Sequence, residues 1–265
     1  MKKIICTSLA LLMLTGCAAN VAKNDLNRET IYQVSLLQGL TDGDFEGSVT
    51  IGELKKHGDT GIGTFNGLNG ELVLVDGTVY QAAGDGSVNV LPDTETIPFS
   101  NVTFFDKDSA ENIENVDSFE KLTNILNAKV KELGENDFYM VRIDGTFDEI
   151  NVRSEYGQKE PYKTITEALA TDQTFFDYKD INGTMVGLYC PKYMSELNSA
   201  GWHFHFVSDD KSKGGHVLGV KVKKAEIGYD KTEEFYMHLP SSSHFRGIDF
   251  AKDRSADVKK AETNE

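Results

Sequence analysis

Short runs of apolar residues, many alternating with polar residues, make up most of the chain from residue 31 to about residue 105. Glycines interrupt these runs, as in the stretch GELVLVDGTVYQAAG at residues 70–84. A two-residue apolar period with glycine-rich breaks is typical of β-strands joined by tight turns. Similar runs return from residue 138 to residue 240, so the pattern predicts a chain rich in β-strands.

Two segments have the apolar spacing of helices instead. Apolar residues recur every three or four positions between Ser118 and Leu133, which predicts an amphipathic helix. A second helix is predicted from Thr164 to Ala170. Because strands are many and helices are few, we expect an α+β fold rather than a parallel α/β fold.

The expected architecture has two β-sheet-rich subdomains, with a mixed sheet and a smaller antiparallel sheet. We place the amino-terminal β-rich subdomain at residues 31–177. The carboxy-terminal antiparallel subdomain, with its tail, is placed at residues 178–265. The last 15 residues, from residue 251, are polar, and their composition predicts a frayed tail.

The amino terminus has the pattern of an export signal. Two lysines precede an apolar run over residues 4–14 that is too short to span a bilayer, and the sequence LTGC follows, ending at Cys17. LTGC resembles a bacterial lipobox, which implies a lipoprotein signal peptide at residues 1–16 and a lipidated tether at residues 17–30. We therefore expect an exported protein, anchored to the membrane through lipid on Cys17. Ordinary signal cleavage one or two residues later is the alternative.

The composition supports a folded, acidic protein. Hydrophobic residues make up 39% of the 265, which is ample for a sizeable core. Acidic residues number 42 against 27 lysines and arginines, for a formal net charge of -15 at pH 7. Such a balance repels phosphate backbones, so a nucleic-acid partner is not expected.

The cysteines leave no pair for an intramolecular disulfide. Cys6 lies in the predicted signal peptide and Cys17 is expected to carry lipid, so Cys190 remains alone. Cys190 lies in the apolar stretch MVGLYCP and is predicted to be a small core residue rather than a nucleophile.

Three of the six histidines fall within 14 positions, around the stretch GWHFHF at residues 201–206. On a strand, His203 and His205 share one face and the aromatic residues take the other. A polar, glycine-containing turn follows, so the next apolar run is expected to pair antiparallel and to bring His216 opposite His205. Three imidazoles suit Zn²⁺, and three protein ligands leave a position open for water or substrate.

The residues by themselves leave other interpretations open. Isolated histidines on a half-exposed hairpin would need no metal. A cupin-type centre also uses His-x-His, but it usually has a glutamate a few residues downstream, where this chain has Ser208, Asp209 and Asp210. A zinc hydrolase or hydratase using metal-bound hydroxide is physically open, as is a surface lipoprotein that binds metal or a ligand without chemistry.

Several segments in order resemble the α-acetolactate decarboxylase family, a family of zinc enzymes, from about Tyr32 to the carboxyl terminus. The matching segments are GSVTIGEL (47–54), HGDTGIGTF (57–65), LNGEL (68–72), FY (138–139), GTF (145–147), GLY (187–189), GWHFHF (201–206) and GGHVL (214–218). So many matches in the same order make the resemblance specific.

The resemblance implies a set of site residues. The three clustered histidines match the family's metal ligands, Glu71 matches a glutamate near the zinc, and Arg153 matches the active-site arginine. Glu262 lies at the distance from His216 expected of the family's carboxy-terminal glutamate. By composition alone, Glu71 and Arg153 would be exposed and Glu262 would lie in a disordered tail. These three assignments therefore depend on the resemblance, and the last requires the tail to fold over the site.

The resemblance also implies an activity: decarboxylation of 2-acetolactate to (R)-acetoin and CO₂, with Zn²⁺ and no organic cofactor. We expect the metal to chelate the substrate's hydroxyl and keto oxygens and to stabilise an enediolate. Glu71 and Glu262 are each expected to be a ligand or a proton donor. The family further suggests a homodimer. His57, His238 and His244 are expected to be structural.

Overall fold

The computed structural model describes residues 27–263. The predicted signal peptide, Cys17 and most of the predicted tether lie outside the described residues. Within residues 27–263, no helix is both long enough and apolar enough to cross a membrane.

The described chain contains fourteen strands and six α-helices, numbered here in chain order. The strands are β1 (Thr30–Val34), β2 (Val49–Thr50), β3 (Thr60–Thr64), β4 (Glu71–Val75), β5 (Thr78–Ala82), β6 (Val88–Val90), β7 (Thr96–Ile97), β8 (Phe99–Thr103), β9 (Ser109–Val116), β10 (Phe138–Glu155), β11 (Gln173–Cys190), β12 (Gly201–Ser208), β13 (Gly214–Thr232) and β14 (Glu234–His238). The helices are α1 (Leu37–Thr41), α2 (Ile51–Leu54), α3 (Phe119–Leu133), α4 (Ile165–Leu169), α5 (Ser243–Gly247) and α6 (Ser255–Thr263).

The strands form two main sheets. A seven-stranded sheet has the order β14-β1-β8-β3-β4-β5-β6, and it is mixed because β1 pairs with β14 in parallel. An antiparallel five-stranded sheet has the order β10-β11-β12-β13-β9, while β2 and β7 form a small separate ladder. The predicted α+β class, with a mixed sheet and a smaller antiparallel sheet, is confirmed.

The five-stranded sheet bends until two of its members meet again, because β10 pairs with β13 as well as with β11. This ladder contains register shifts near Thr146 and Asn151, which mark irregular pairing along the bend. Residue 177, where the sequence divides the expected subdomains, lies within β11, and the sheet takes strands from both sides of that position. Apolar spacing identifies strands, but it does not reveal which distant strands pair.

Both helices predicted from apolar spacing are present. The helix α3 begins after Ser118, whose side chain accepts a hydrogen bond from the Lys121 amide, and its apolar face packs on the five-stranded sheet through Leu122 and Leu126. The helix α4 begins at a capping box formed by Thr164 and Glu167.

Cys190 is buried in the core between the sheets, as predicted, and burial raises the pKa of its thiol. The thiol therefore stays protonated and unreactive at neutral pH.

The prediction of a frayed tail, made from composition, is wrong. Residues 255–263 form α6, and Ala261 on this helix packs with Leu37 and Leu40 of α1. An ion pair between Arg254 and Asp42 holds the start of this segment. The apolar surface of α6 is small, and its position depends on hydrogen bonds to distant residues, which composition does not record.

Candidate metal centre

The hairpin of β12 and β13 places the three clustered histidines together. Phe204 and Phe206 point into the apolar core, so the alternation of the strand turns His203 and His205 to the opposite face. His205 pairs directly with His216 across the hairpin. The predicted face and the predicted pairing are both present.

The imidazole nitrogens converge. Nε2 of His203 lies 3.0 Å from Nε2 of His205 and 3.0 Å from Nδ1 of His216. One nitrogen from each ring lies within 4.8 Å of the other two. All three side chains are buried, so little water reaches these atoms.

Hydrogen bonds on the far side of two rings fix which nitrogen carries the proton. Nδ1 of His205 donates to the carbonyl of Leu72 at 2.7 Å, and Nε2 of His216 donates to the carbonyl of Glu262 at 3.0 Å. A carbonyl only accepts, so the opposite nitrogen of each neutral ring carries a lone pair. These lone pairs face one another in a buried space. A cation bound between them would relieve their repulsion, so the three residues fit a metal ion.

Glu262 completes the arrangement at the third ring. Its Oε2 lies 3.3 Å from Nδ1 of His203, and neither atom has another hydrogen-bond partner. A carboxylate beside the outer nitrogen of a histidine orients the ring and makes the inner nitrogen a stronger ligand. The carboxy-terminal segment therefore folds over the site, as the assignment of Glu262 requires.

The environment keeps the imidazoles neutral. Burial, together with the positive charge of Arg153, lowers the pKa of His203 to about 3. Burial is also the main reason that the pKa values of His205 and His216 lie well below the ordinary value. Neutral imidazole is the form that binds metals.

Glu71 enters the site from the other sheet, at the first position of β4. Its Oε2 lies 3.3 Å from Nε2 of His205, the nitrogen that faces the cluster, and the residue is 5% exposed. Burial, with the negative charge of Glu155, raises the pKa of Glu71 well above its ordinary value. The exposed position that composition alone suggests for Glu71 is therefore wrong, and its position beside the histidine cluster agrees with the resemblance.

Arg153 is also buried, in contrast to the solvated position that strand alternation alone suggests. It pairs with His216 across β10 and β13, and its Nη1 donates to the carboxylate of Glu155. Its Nη2 donates to the carbonyl of Ala261 at 2.6 Å, which ties α6 to the site. Nε of Arg153 has no partner.

The sequence analysis missed Glu155. This residue is 3% exposed and lines the site with Arg153. One feature of the sequence could have indicated Glu155. It lies two positions after Arg153 on the same strand, so both side chains point to one face. Taken alone, a glutamate at the end of a strand is usually exposed, and only tertiary structure buries it.

Two cavities meet at the cluster. An inner chamber of about 30 Å³ is lined by the imidazoles, by Glu71, Arg153 and Glu155, and by apolar side chains. A larger cavity of about 460 Å³, bordered by Trp202, lies on the outer side. His203, His216 and Glu262 line both, so Glu262 stands between the chamber and the outer cavity.

The remaining histidines lie outside this cluster. His57 stacks on Tyr32 with the ring centroids 3.9 Å apart. His238 is the last residue of β14, and Nε2 of His244 lies 3.3 Å from the carbonyl of Asp42.

The fold and the site define a class: an enzyme with a buried three-histidine centre, able to hold a metal ion beside an arginine and several carboxylates. A family model described as "Alpha-acetolactate decarboxylase" matches residues 31–252. The chain therefore belongs to the alpha-acetolactate decarboxylase family, and it is a carboxy-lyase. The resemblance found in the sequence is confirmed, and the membership favours decarboxylation over the hydrolase and non-enzymatic alternatives.

Individual relatives match this chain over most of their length. The alpha-acetolactate decarboxylase of Methanosarcina mazei is 35% identical over 88% of this chain and 80% of that protein, and the Bacillus licheniformis enzyme is 34% identical over 91% and 94%. The crystal structure of the alpha-acetolactate decarboxylase from Bacillus subtilis strain 168 aligns with a TM-score of 0.85 and 31% identity, covering 88% of this chain and 99% of that one.

We expect His203→Ala to lose bound metal, because it removes the nitrogen that lies between the other two. Metal analysis of purified protein should give about one divalent ion per wild-type chain and at least a tenfold lower content in the variant. His57→Ala is the matched control, since it removes a histidine outside the cluster and should retain its metal. Full metal content in His203→Ala would contradict the site.

We also expect metal retention to be insensitive to mild acid. The pKa values of the three folded-state imidazoles lie below those of the unfolded chain, so protons do not compete for the nitrogens between pH 7 and pH 5. In the metal-free protein, the unfolded chain takes up these protons and the fold does not, so its stability should fall as the pH drops below about 6.5. Metal analysis after dialysis and thermal unfolding measure the two effects. Metal loss with a midpoint near pH 6.5 would contradict the burial argument.

Proposed function

We propose that this enzyme decarboxylates 2-acetolactate to (R)-acetoin and CO₂, with Zn²⁺ held by His203, His205 and His216. The observation that carries the proposal is the convergence of three unprotonated imidazole nitrogens in a buried chamber that also contains an arginine. Family membership supports the decarboxylation, and the donor set supports the metal.

Zinc fits this donor set. Its borderline-soft character favours imidazole nitrogen, and nitrogens bound tetrahedrally to one Zn²⁺ at about 2.0 Å lie roughly 3.3 Å apart. The two closest nitrogen pairs here are 3.0 Å apart. With three protein ligands, a tetrahedral Zn²⁺ would keep a position open for the substrate, and expansion to five ligands would admit a second substrate oxygen.

When bound, Zn²⁺ would act as a Lewis acid toward the hydroxyl and keto oxygens of the substrate and stabilise the enediolate that loss of CO₂ leaves. Arg153 supplies a positive charge beside the three imidazoles, which would attract the anionic substrate. Its guanidinium is held on two sides by Glu155 and by the Ala261 carbonyl, and its Nε is left to donate. This fixed orientation suits a carboxylate.

Glu262 is placed to deliver the proton that completes acetoin. It lines both the chamber and the outer cavity, so its carboxyl can take a proton from solvent on one side and release it on the other. Glu71, beside the metal-facing nitrogen of His205, is the alternative proton donor where it does not itself bind the metal. Delivery of the proton from one fixed side would give acetoin a single configuration.

We further propose that the mature protein is exported, anchored through lipid on Cys17, and dimeric. The support for the anchor is the LTGC sequence after a short apolar run. The support for a homodimer is the family resemblance.

The direct test of the function is incubation of the zinc-loaded protein with 2-acetolactate, with CO₂ release and acetoin measured together. We expect equal amounts of both products, with (R)-acetoin in excess on chiral chromatography. Absence of CO₂ from a protein with full zinc content would refute the proposed function.

Arg153→Lys should lower kcat/KM for 2-acetolactate more than tenfold, because the ammonium of lysine is a point charge and cannot contact Glu155, the Ala261 carbonyl and the substrate at once. Steady-state kinetics measure the change. Arg142→Lys is the control, since Arg142 is paired with Asp76 and Asp144 outside the site and should keep normal kinetics. Unchanged kcat/KM in Arg153→Lys would remove the arginine from the mechanism.

Cys17→Ser should move the protein from the membrane fraction to the soluble fraction of a bacterial host that processes lipoproteins, because serine cannot carry the thioether-linked lipid. Fractionation followed by immunodetection measures the distribution. A wild-type chain that is already soluble would exclude the anchor.

A further inference from the structure

Glu155 is a buried carboxylate paired with Arg153 at the inner chamber. It is the last residue of β10, it is 3% exposed, and it lines the chamber. One of its oxygens accepts a hydrogen bond from Nη1 of Arg153, and the other, Oε2, has no hydrogen-bond partner. Removing a carboxylate from water is costly unless it is paired, so a buried glutamate at this position depends on the arginine.

The backbone that carries Glu155 is held on both sides. The hydroxyl of Ser154 donates to the carbonyl of Ala82, and the amide of Tyr156 donates at 2.9 Å to a carbonyl in the loop before β11. A Cβ on Gly84 would come within 2.8 Å of the carbonyl group of Glu155, so a neighbouring segment approaches this backbone closely. The point from which the glutamate side chain extends is therefore fixed.

The side chain of Arg153 is long and flexible, and its orientation depends on what its guanidinium contacts. Nη2 donates to the carbonyl of Ala261 at 2.6 Å, and that carbonyl belongs to the carboxy-terminal helix α6. The contact with Glu155 comes instead from β10, the strand that carries the arginine itself. Residues two apart on a strand share a face, so this donor and this acceptor are anchored to one rigid element. The two contacts together fix the plane of the guanidinium, and Nε keeps a free donor.

We propose that Glu155 is a positioning residue that acts through Arg153, by holding the guanidinium in the orientation that receives the substrate carboxylate. The inference rests on the proposed decarboxylation of 2-acetolactate. What the arginine needs from this neighbour is an acceptor at a fixed distance, because a negative charge beside the guanidinium would by itself weaken the attraction for an anionic substrate. A misplacement of about 1 Å in a group that orients the substrate can lower the rate about 100-fold.

Two substitutions separate the position of this acceptor from its charge. Glu155→Gln removes the charge and keeps an oxygen at the same reach, whereas Glu155→Asp keeps the charge and withdraws the oxygen by one methylene. The measurement is kcat/KM for CO₂ release from 2-acetolactate, normalised to bound zinc. We expect the glutamine variant to stay within about threefold of the wild type and the aspartate variant to fall about 10-fold to 100-fold.

A double-mutant cycle shows whether the effect passes through the arginine. The ammonium of lysine donates in three directions and has no plane to be fixed, so Glu155→Asp should lower kcat/KM by less than about threefold in an Arg153→Lys background. A glutamate that only stabilised the fold would lower the thermal unfolding temperature when it is replaced and would leave kcat/KM per bound zinc unchanged.

Glu149→Asp is the matched control, because Glu149 lies on the same strand but pairs with Lys221 outside the site, and it should keep wild-type kinetics. A loss of more than about tenfold in Glu155→Gln would overturn the inference, even if the aspartate variant fails to fold. Wild-type kcat/KM in Glu155→Asp, or an equal loss in both backgrounds of the cycle, would also overturn it. A wild type that releases no CO₂ would instead refute the proposed function.

Discussion

The site depends on the orientation of three buried imidazole rings, which direct their inner nitrogens into one small space. Each is aimed at the same small space because the opposite nitrogen of its ring lies against a carbonyl or carboxylate oxygen. Burial disfavours a positive charge from additional protons on these rings, so their inward-facing nitrogens suit a metal cation. A metal ion bound there would be stabilised by these nitrogens without any rearrangement of the hairpin that carries them.

The contacts that aim the rings come from widely separated parts of the chain. The carbonyl that orients His205 belongs to β4 of the seven-stranded sheet, and the carbonyl that orients His216 belongs to α6. The hairpin of the five-stranded sheet therefore supplies the ligands, while the other sheet and the carboxy-terminal helix fix their protonation. The packing of the two sheets against each other is thus part of the chemistry of the site.

Local pattern was enough to predict the strands, the helix after Ser118 and the face of the hairpin that carries the histidines, because each depends on residue periodicity. It was not enough to place Glu71, which is brought to His205 by the packing of one sheet on another. Glu155 and the position of α6 were beyond it for the same reason, because Glu155 is buried by tertiary packing and α6 is held by a contact with the distant Arg153. The family resemblance supplied Glu71, Arg153 and Glu262, and it did not supply Glu155.

The position of α6 makes the geometry of the three-histidine centre depend on the last residues of the chain to be translated. The helix supplies the carbonyls of Ala261 and Glu262, and both are translated after every other residue of the site. A growing polypeptide can pair its strands, yet it lacks the acceptor that holds His216 in its ligating tautomer. The orientation of His216 is therefore completed only when α6 is in place, and a chain ending before this helix would bring its three histidines together without that acceptor.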